Sequence, residues 1–160
     1  MRRLVLLCSA IVFVDTTFFA VVAPLLPSYV DQFGLSKTAA GVLAAANPLG
    51  TLLGAIPSGV LAARFGPRRL VLVGLVLMGV SSVVFGWAQQ IALLDAARFV
   101  QGVGGACSWA GALAWLLSEA PADRRGELLG TVLGAGIAGA LLGPAVGGLA
   151  AVTSPGLVFS

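Results

Sequence analysis

Polar and apolar positions are arranged along this chain in long blocks, not in the short periods of an amphipathic helix or strand. Uncharged runs extend from Thr38 to Ala63, Leu70 to Leu94, Phe99 to Ser118 and Leu128 to Ser160, lengths of 26, 25, 20 and 33 residues. A first block, Leu4 to Val30, carries a single charge, Asp15. About 20 apolar helical residues cross the roughly 30 Å hydrocarbon core of a bilayer, so the pattern predicts an all-α integral membrane bundle. The expected helices are 4–27, 38–61, 70–91, 94–118 and 127–151, with room to turn at Ser154-Pro155-Gly156 and start a sixth from about 156. A transmembrane barrel would show ten-residue stretches of alternating polarity, and none occur. Ser28 to Lys37 reads as a loop ending in an N-cap at Ser36. Pro121 and Asp123 mark a compact turn between the fourth and fifth helices.

Composition sharpens this picture. Hydrophobic residues make up 59% of the chain and charged residues 9%, against roughly 25% charged in a soluble domain. Nine basic and six acidic side chains among 160 residues cannot furnish a water-exposed surface. With no histidine and two separate cysteines, Cys8 and Cys107, no metal or haem constellation and no cofactor is expected. The net charge of +3 does not point to nucleic acid, because the basic residues flank apolar segments in ones, twos and threes. The intramembrane charges form no nucleophile–base pair, which disfavours an enzyme.

The basic residues predict a topology. Arg2 and Arg3 precede the first helix, Arg64, Arg68 and Arg69 join the second and third, and Arg124 and Arg125 join the fourth and fifth. The alternate loops offer only Lys37, a ratio of seven to one with Arg98 set aside inside helix four. The positive-inside bias then gives a multi-pass protein of the cell membrane with a cytoplasmic N-terminus. Tyr29 and Trp87 are expected near the outer interface and Trp115 near the inner one. A cleaved signal peptide is disfavoured, because Asp15 interrupts the first apolar run and four further spans follow.

Polar groups inside the spans are candidates for chemistry. An aspartate at mid-membrane is costly and should face the bundle interior or a wet cavity, which makes Asp15 a candidate proton-coupling site. Arg98 either pairs with Asp95 one turn away and extends outward, or turns inward toward polar groups of helix one. Asp15 lies deeper than Arg98, so coupling between them would pass through Gln101 or water. Asn47, Gln101, Ser108 and Trp109 are cavity candidates, although Asn47 could equally satisfy backbone beside Pro48 and Trp109 could pack in the core. Cys107 reads as a small packing residue.

Helix five carries two glycine ladders, Gly126, Gly130, Gly134 and then Gly139, Gly143, Gly147, followed by Gly148. Residues four apart share a helix face, so each ladder is expected to form a groove for close backbone approach, either as static packing or as a sliding surface. Pro144, Pro48, Pro57, Pro24 and Pro27 each remove a helical amide, and each should bend or loosen its helix.

On these motifs the chain resembles the N-terminal half of a major facilitator superfamily transporter. Gly59-Val-Leu-Ala-Ala63-Arg64-Phe-Gly66-Pro67-Arg68-Arg69 is similar to the superfamily's loop, Gly-x-Leu-Ala-Asp-Arg-x-Gly-Arg-Arg, and departs from it at Ala63 and Pro67. The resemblance assigns Gly59, Arg64, Gly66, Arg68 and Arg69 to a gating loop. Arg98-Phe-Val-Gln101-Gly102 resembles the helix-four motif associated with proton coupling. Gly139-Ala-Leu-Leu-Gly143-Pro144-Ala-Val-Gly147-Gly148 resembles the helix-five antiporter motif at every defined position, and Asp15-Thr16-Thr17 resembles the helix-one pattern of drug:proton antiporters. The resemblance implies proton-coupled efflux of small hydrophobic or cationic compounds. It also implies a longer protein of about 12 or 14 helices, in which a C-terminal bundle completes the substrate site. The expected partners are a small-molecule substrate, protons and the lipid bilayer. Transport of a sugar, amino acid or siderophore is the alternative within the superfamily. An assembly or regulatory subunit is the alternative outside it, should the gene end at Ser160.

Overall fold

The computed structural model describes the backbone of residues 1–153 and the side chains of residues 1–149. The expected start of a sixth helix and the turn at Ser154-Pro155-Gly156 lie outside the described residues. Five long helices run α1 (Arg2–Phe33), α2 (Lys37–Phe65), α3 (Pro67–Trp87), α4 (Ile91–Glu119) and α5 (Arg125–Thr153), with a short 3-10 helix (Ala122–Arg124) before the last. All five are long and apolar enough to cross a membrane.

The helices differ from their expected ends where capping chemistry outweighs proline. α1 continues through Pro24 and Pro27 to Phe33, past the expected end at 27. It stops at Gly34, whose left-handed φ of 58° needs no Cβ and whose N–H bonds to the Val30 carbonyl. The loop before α2 is therefore only Gly34 to Ser36, and Ser36 is the N-cap, accepting from the Ala39 N–H at 3.2 Å. Pro48, Pro57 and Pro144 also lie inside continuous helices. A single residue, Gly66 (φ 89°), joins α2 to α3. Pro67 then opens α3 at its first turn, where a missing N–H costs nothing.

Packing follows the distribution of small residues. α1 lies chiefly on α5, while α4 is held between α2 and α3 and also meets α1. Two apolar clusters sit toward opposite ends of the bundle. One joins Val21, Leu25 and Tyr29 to Leu43, Phe85 and Leu94, and the other joins Cys8 and Val12 to Val71, Leu116 and Val132. Tyr29, expected at the interface, is instead buried in the first cluster, edge-on to Phe85 with centroids 5.3 Å apart. Its ring is used for packing between helices, whereas Trp87 is 74% exposed. Ile56, Leu141 and Leu149 point outward, a surface suited to lipid and not to water.

Candidate functional site

Between the two clusters, α1, α2 and α4 leave a cavity of about 680 Å³ whose polar residues are Asp15, Thr16, Asn47, Thr51, Gln101 and Trp109. Most of its remaining wall is apolar, including Phe19, Pro48, Leu52 and Ala106. The Asp15 carboxylate accepts a hydrogen bond from the Trp109 indole N–H at 2.6 Å. Its other oxygen lies against Gly105, where a methyl group would come within 2.8 Å of it. Glycine at 105 is what lets the carboxylate rest on α4. Across the cavity the backbones of α2 and α4 nearly touch. A Cβ on Gly50 would collide with the Phe99 carbonyl, and one on Gly102 with the Asn47 carbonyl. Thr51 Oγ1 bridges this contact, with the Asn47 carbonyl at 3.1 Å and the Gly102 carbonyl at 3.2 Å.

Arg98 turns inward. It is 3% exposed, and its Nη1 donates to Gln101 Oε1 at 2.5 Å while Gln101 Nε2 donates to Ser82 Oγ at 2.9 Å. The guanidinium also lies over the Phe85 ring, 5.9 Å from its centroid. No ion pair with Asp95 forms; the ion pair among the described residues is Arg124–Glu127, at 2.8 Å. Arg98 is absent from the cavity wall, and Gln101 is the residue shared by that wall and the arginine. Of the four residues named as cavity candidates, Asn47, Gln101 and Trp109 lie in this wall and Ser108 does not. It is fully buried toward α3, with its hydroxyl 2.9 Å from the Gly104 carbonyl and 3.4 Å from Met78 Sδ. Phe19 and Thr51 were not singled out from the sequence, and Thr16 entered only through the helix-one pattern that follows Asp15. Phe19 follows Asp15 by one helical turn and Thr51 follows Asn47 by one, so face-sharing was the available signal. Cys107 packs against Ser58, Sγ to Oγ 3.3 Å, between α4 and α2.

On the other side of α1 lies the second glycine ladder. A methyl group on Gly143 would come within 2.5 Å of the Ala20 Cβ and 2.8 Å of the Thr17 carbonyl oxygen. On Gly139 it would collide with the Phe13 carbonyl and the Thr16 hydroxyl, and on Gly147 with the Val21 carbonyl. Gly136 belongs to the same contact, 2.9 Å from Val12 Cγ1 by the same construction. The first ladder is different: a Cβ on Gly126, Gly130 or Gly134 meets nothing within 4 Å, nor does one on Gly148. Among the described residues only the second half of α5 forms the expected groove.

The profile of the Major Facilitator Superfamily matches residues 6–159. The chain belongs to this superfamily of membrane transporters. A 4-hydroxybenzoate transporter, PcaK, of Pseudomonas aeruginosa is 36% identical over 147 residues, which cover 91% of this chain and 32% of that protein. A multidrug resistance protein, MdtG, of Yersinia enterocolitica is 33% identical over 145 residues, covering 87% and 34%. A quinolone resistance protein, NorA, of Staphylococcus aureus is 27% identical over 138 residues, covering 86% and 36%. The chain spans about a third of the length of these relatives.

The superfamily loop is a tight corner in this chain. Gly66 supplies the positive φ, Arg64 lies 5.6 Å from the Phe65 ring and Arg68 lies 5.7 Å from the Trp115 ring. Arg3, Arg68, Trp115 and Glu119 border one shallow cavity, which places the start of α1, the start of α3 and the end of α4 at the same end of the bundle. The arginines of this loop make no ion pair with the segment 119–127 among the described residues. Gly59, Ala63 and Arg69 are exposed.

Proposed function

We propose that this chain is the N-terminal bundle of a proton-coupled secondary transporter that exports small hydrophobic or cationic compounds. The observation that carries the reading is the cavity, in which one carboxylate, Asp15, sits beside Trp109 and Phe19 in a largely apolar wall. A carboxylate is the one group there that can alternate between a proton and a cation, and the aromatic and apolar surface suits a lipophilic body. No basic side chain lines this cavity among the described residues, and Arg98 is screened behind Gln101. The similarity to two resistance proteins supports efflux. In this reading Asp15, Arg98 and Gln101 serve proton coupling, Asn47, Thr51 and Trp109 line the substrate path, and the loop from Gly59 to Arg69 takes part in gating.

A second reading, transport of a small aromatic acid, is favoured by the 36% identity to a 4-hydroxybenzoate transporter. It requires a cation to meet the substrate carboxylate, from Arg98 after rearrangement or from residues beyond this chain. Vesicles containing the intact protein and an imposed pH gradient separate the two. Accumulation of ethidium, an aromatic cation, supports efflux of cations, whereas accumulation of 4-hydroxybenzoate alone overturns it in favour of the second reading.

Two predictions follow from the site and the charge pattern. Trp109→Phe keeps the ring but removes the donor to Asp15, and is expected to lower gradient-driven transport about tenfold, in line with loss of a hydrogen bond to a charged acceptor. Initial rates at matched membrane abundance check this, and a parental rate would remove the indole N–H from the mechanism. For topology, the Cys8→Ala, Cys107→Ala background receives Ala63→Cys, Asp123→Cys or Gln32→Cys, all at exposed positions. An impermeant thiol reagent outside intact cells should label the variant at position 32 and spare the other two. Labelling at 63 before permeabilisation would invert the map.

A further inference from the structure

We infer that Ser82 of α3 is a positioning residue for the Arg98–Gln101 pair, because it fixes which end of the Gln101 amide faces the guanidinium. This rests on the proton-coupled reading above and extends it to a residue outside both the cavity and the superfamily motifs. A guanidinium carries only donors, so the Gln101 side chain must present its carbonyl oxygen to Arg98. Its NH₂ group then points away and, being buried, needs an acceptor. Ser82 Oγ is that acceptor, at 2.9 Å, while Gln101 Oε1 receives Arg98 Nη1 at 2.5 Å. The three side chains are all buried, at 7%, 6% and 3% exposure for Ser82, Gln101 and Arg98.

The consequence of losing the hydroxyl follows from the inventory of partners. Without an acceptor at position 82, the Gln101 NH₂ is unsatisfied, and the amide gains by turning toward the cavity, where the Asp15 carboxylate also lies. Turning withdraws the carbonyl oxygen from Arg98. The Arg98 Nε already lacks a hydrogen-bond partner among the described residues, so the buried cation would be left poorly compensated. Ser82 therefore holds two things at once: the Arg98 charge is kept against α3 and Phe85, and the Gln101 amide is kept from the carboxylate. Ser81, one residue away, provides an internal control. Its hydroxyl donates to the Met78 carbonyl of its own helix at 3.0 Å and touches neither Gln101 nor Arg98 by hydrogen bond.

The test uses the intact protein in vesicles, with ethidium and 4-hydroxybenzoate as probes, and reads pH-driven accumulation alongside downhill movement. Ser82→Ala should lower pH-driven transport about tenfold, more than it lowers downhill movement. Ser82→Thr, which keeps the hydroxyl, should restore the rate, and Ser81→Ala should behave as the parent. Because Ser82 acts through Gln101, adding Ser82→Ala to Gln101→Ala should cause no further loss, the non-additivity expected of residues in one hydrogen-bonded chain. A Ser82→Ala variant at parental rate, failure of threonine to restore, or losses that multiply in the double variant would each overturn the assignment. A parent that moves neither probe under a pH gradient would instead overturn the functional reading on which it rests.

Discussion

Replacing Asp15 by asparagine is expected to abolish accumulation of substrate against its gradient when a pH gradient is the driving force, with folding and membrane abundance preserved. Asparagine has nearly the volume of aspartate, and its amide oxygen can still accept the Trp109 N–H that reaches the carboxylate at 2.6 Å. What it cannot do is bind and release a proton. Downhill movement or exchange of substrate should survive, because the cavity between α1, α2 and α4 keeps its shape. Asp15→Glu moves the carboxyl by about 1.5 Å and should keep part of the coupling with an altered pH profile, since that shift brings the group into conflict with Gly105 or Trp109. The measurement is initial-rate transport against pH for the parent, Asp15→Asn and Asp15→Glu, normalised to membrane protein. Unchanged accumulation by Asp15→Asn would reduce the residue to a helix-to-helix contact and move the coupling role to Arg98 or to residues beyond this chain.

The bundle was legible in the sequence because the bilayer imposes a length, and apolar blocks of 20 residues or more leave few alternatives. The ends of the helices were harder to place. Pro24 and Pro27 looked like a boundary, yet the decisive residue was Gly34, where the backbone turns left-handed. Asn47, Gln101 and Trp109 could be named as cavity candidates, and Asp15 as a proton-coupling candidate, because polar groups in lipid must face inward. Ser108 met the same criterion and failed on angle. It follows Gln101 by seven residues and so lies rotated by roughly 20°, away from Trp109 and enough to face α3. Tyr29 illustrates the same limit, since an amphipathic ring near a helix end reads as interfacial whether it faces lipid or a neighbouring helix. Ser82 carried no signal of its own; only the fold brings α3 against Gln101.

Leucine in place of Gly143 or Gly147 is expected to reduce transport about a hundredfold or more at near-normal membrane abundance, since overpacking a close contact costs about 1–3 kcal/mol and more against backbone. Even a methyl group on Gly143 would sit 2.5 Å from the Ala20 Cβ, so a leucine side chain must push α1 off α5. That contact lies directly behind the site. Gly139 abuts Phe13, Thr16 and Thr17, and Thr16 is the neighbour of Asp15 and a part of the cavity wall. Displacing α1 therefore moves the carboxylate relative to Trp109 and Gly105, which ties the glycine ladder to coupling through a single rigid helix. The two ladders of α5 are distinguishable on this basis. Five residues separate Gly134 from Gly139, a rotation of roughly 140° at 3.6 residues per turn, so the first ladder faces away from α1. Leucine at Ile137 or Ala145, both exposed, should be tolerated and serves as the control for bulk alone. Full transport by both Gly143→Leu and Gly147→Leu would show that α1 and α5 need not approach closely during the cycle, and the similarity of this segment to the antiporter motif would lose its physical meaning here.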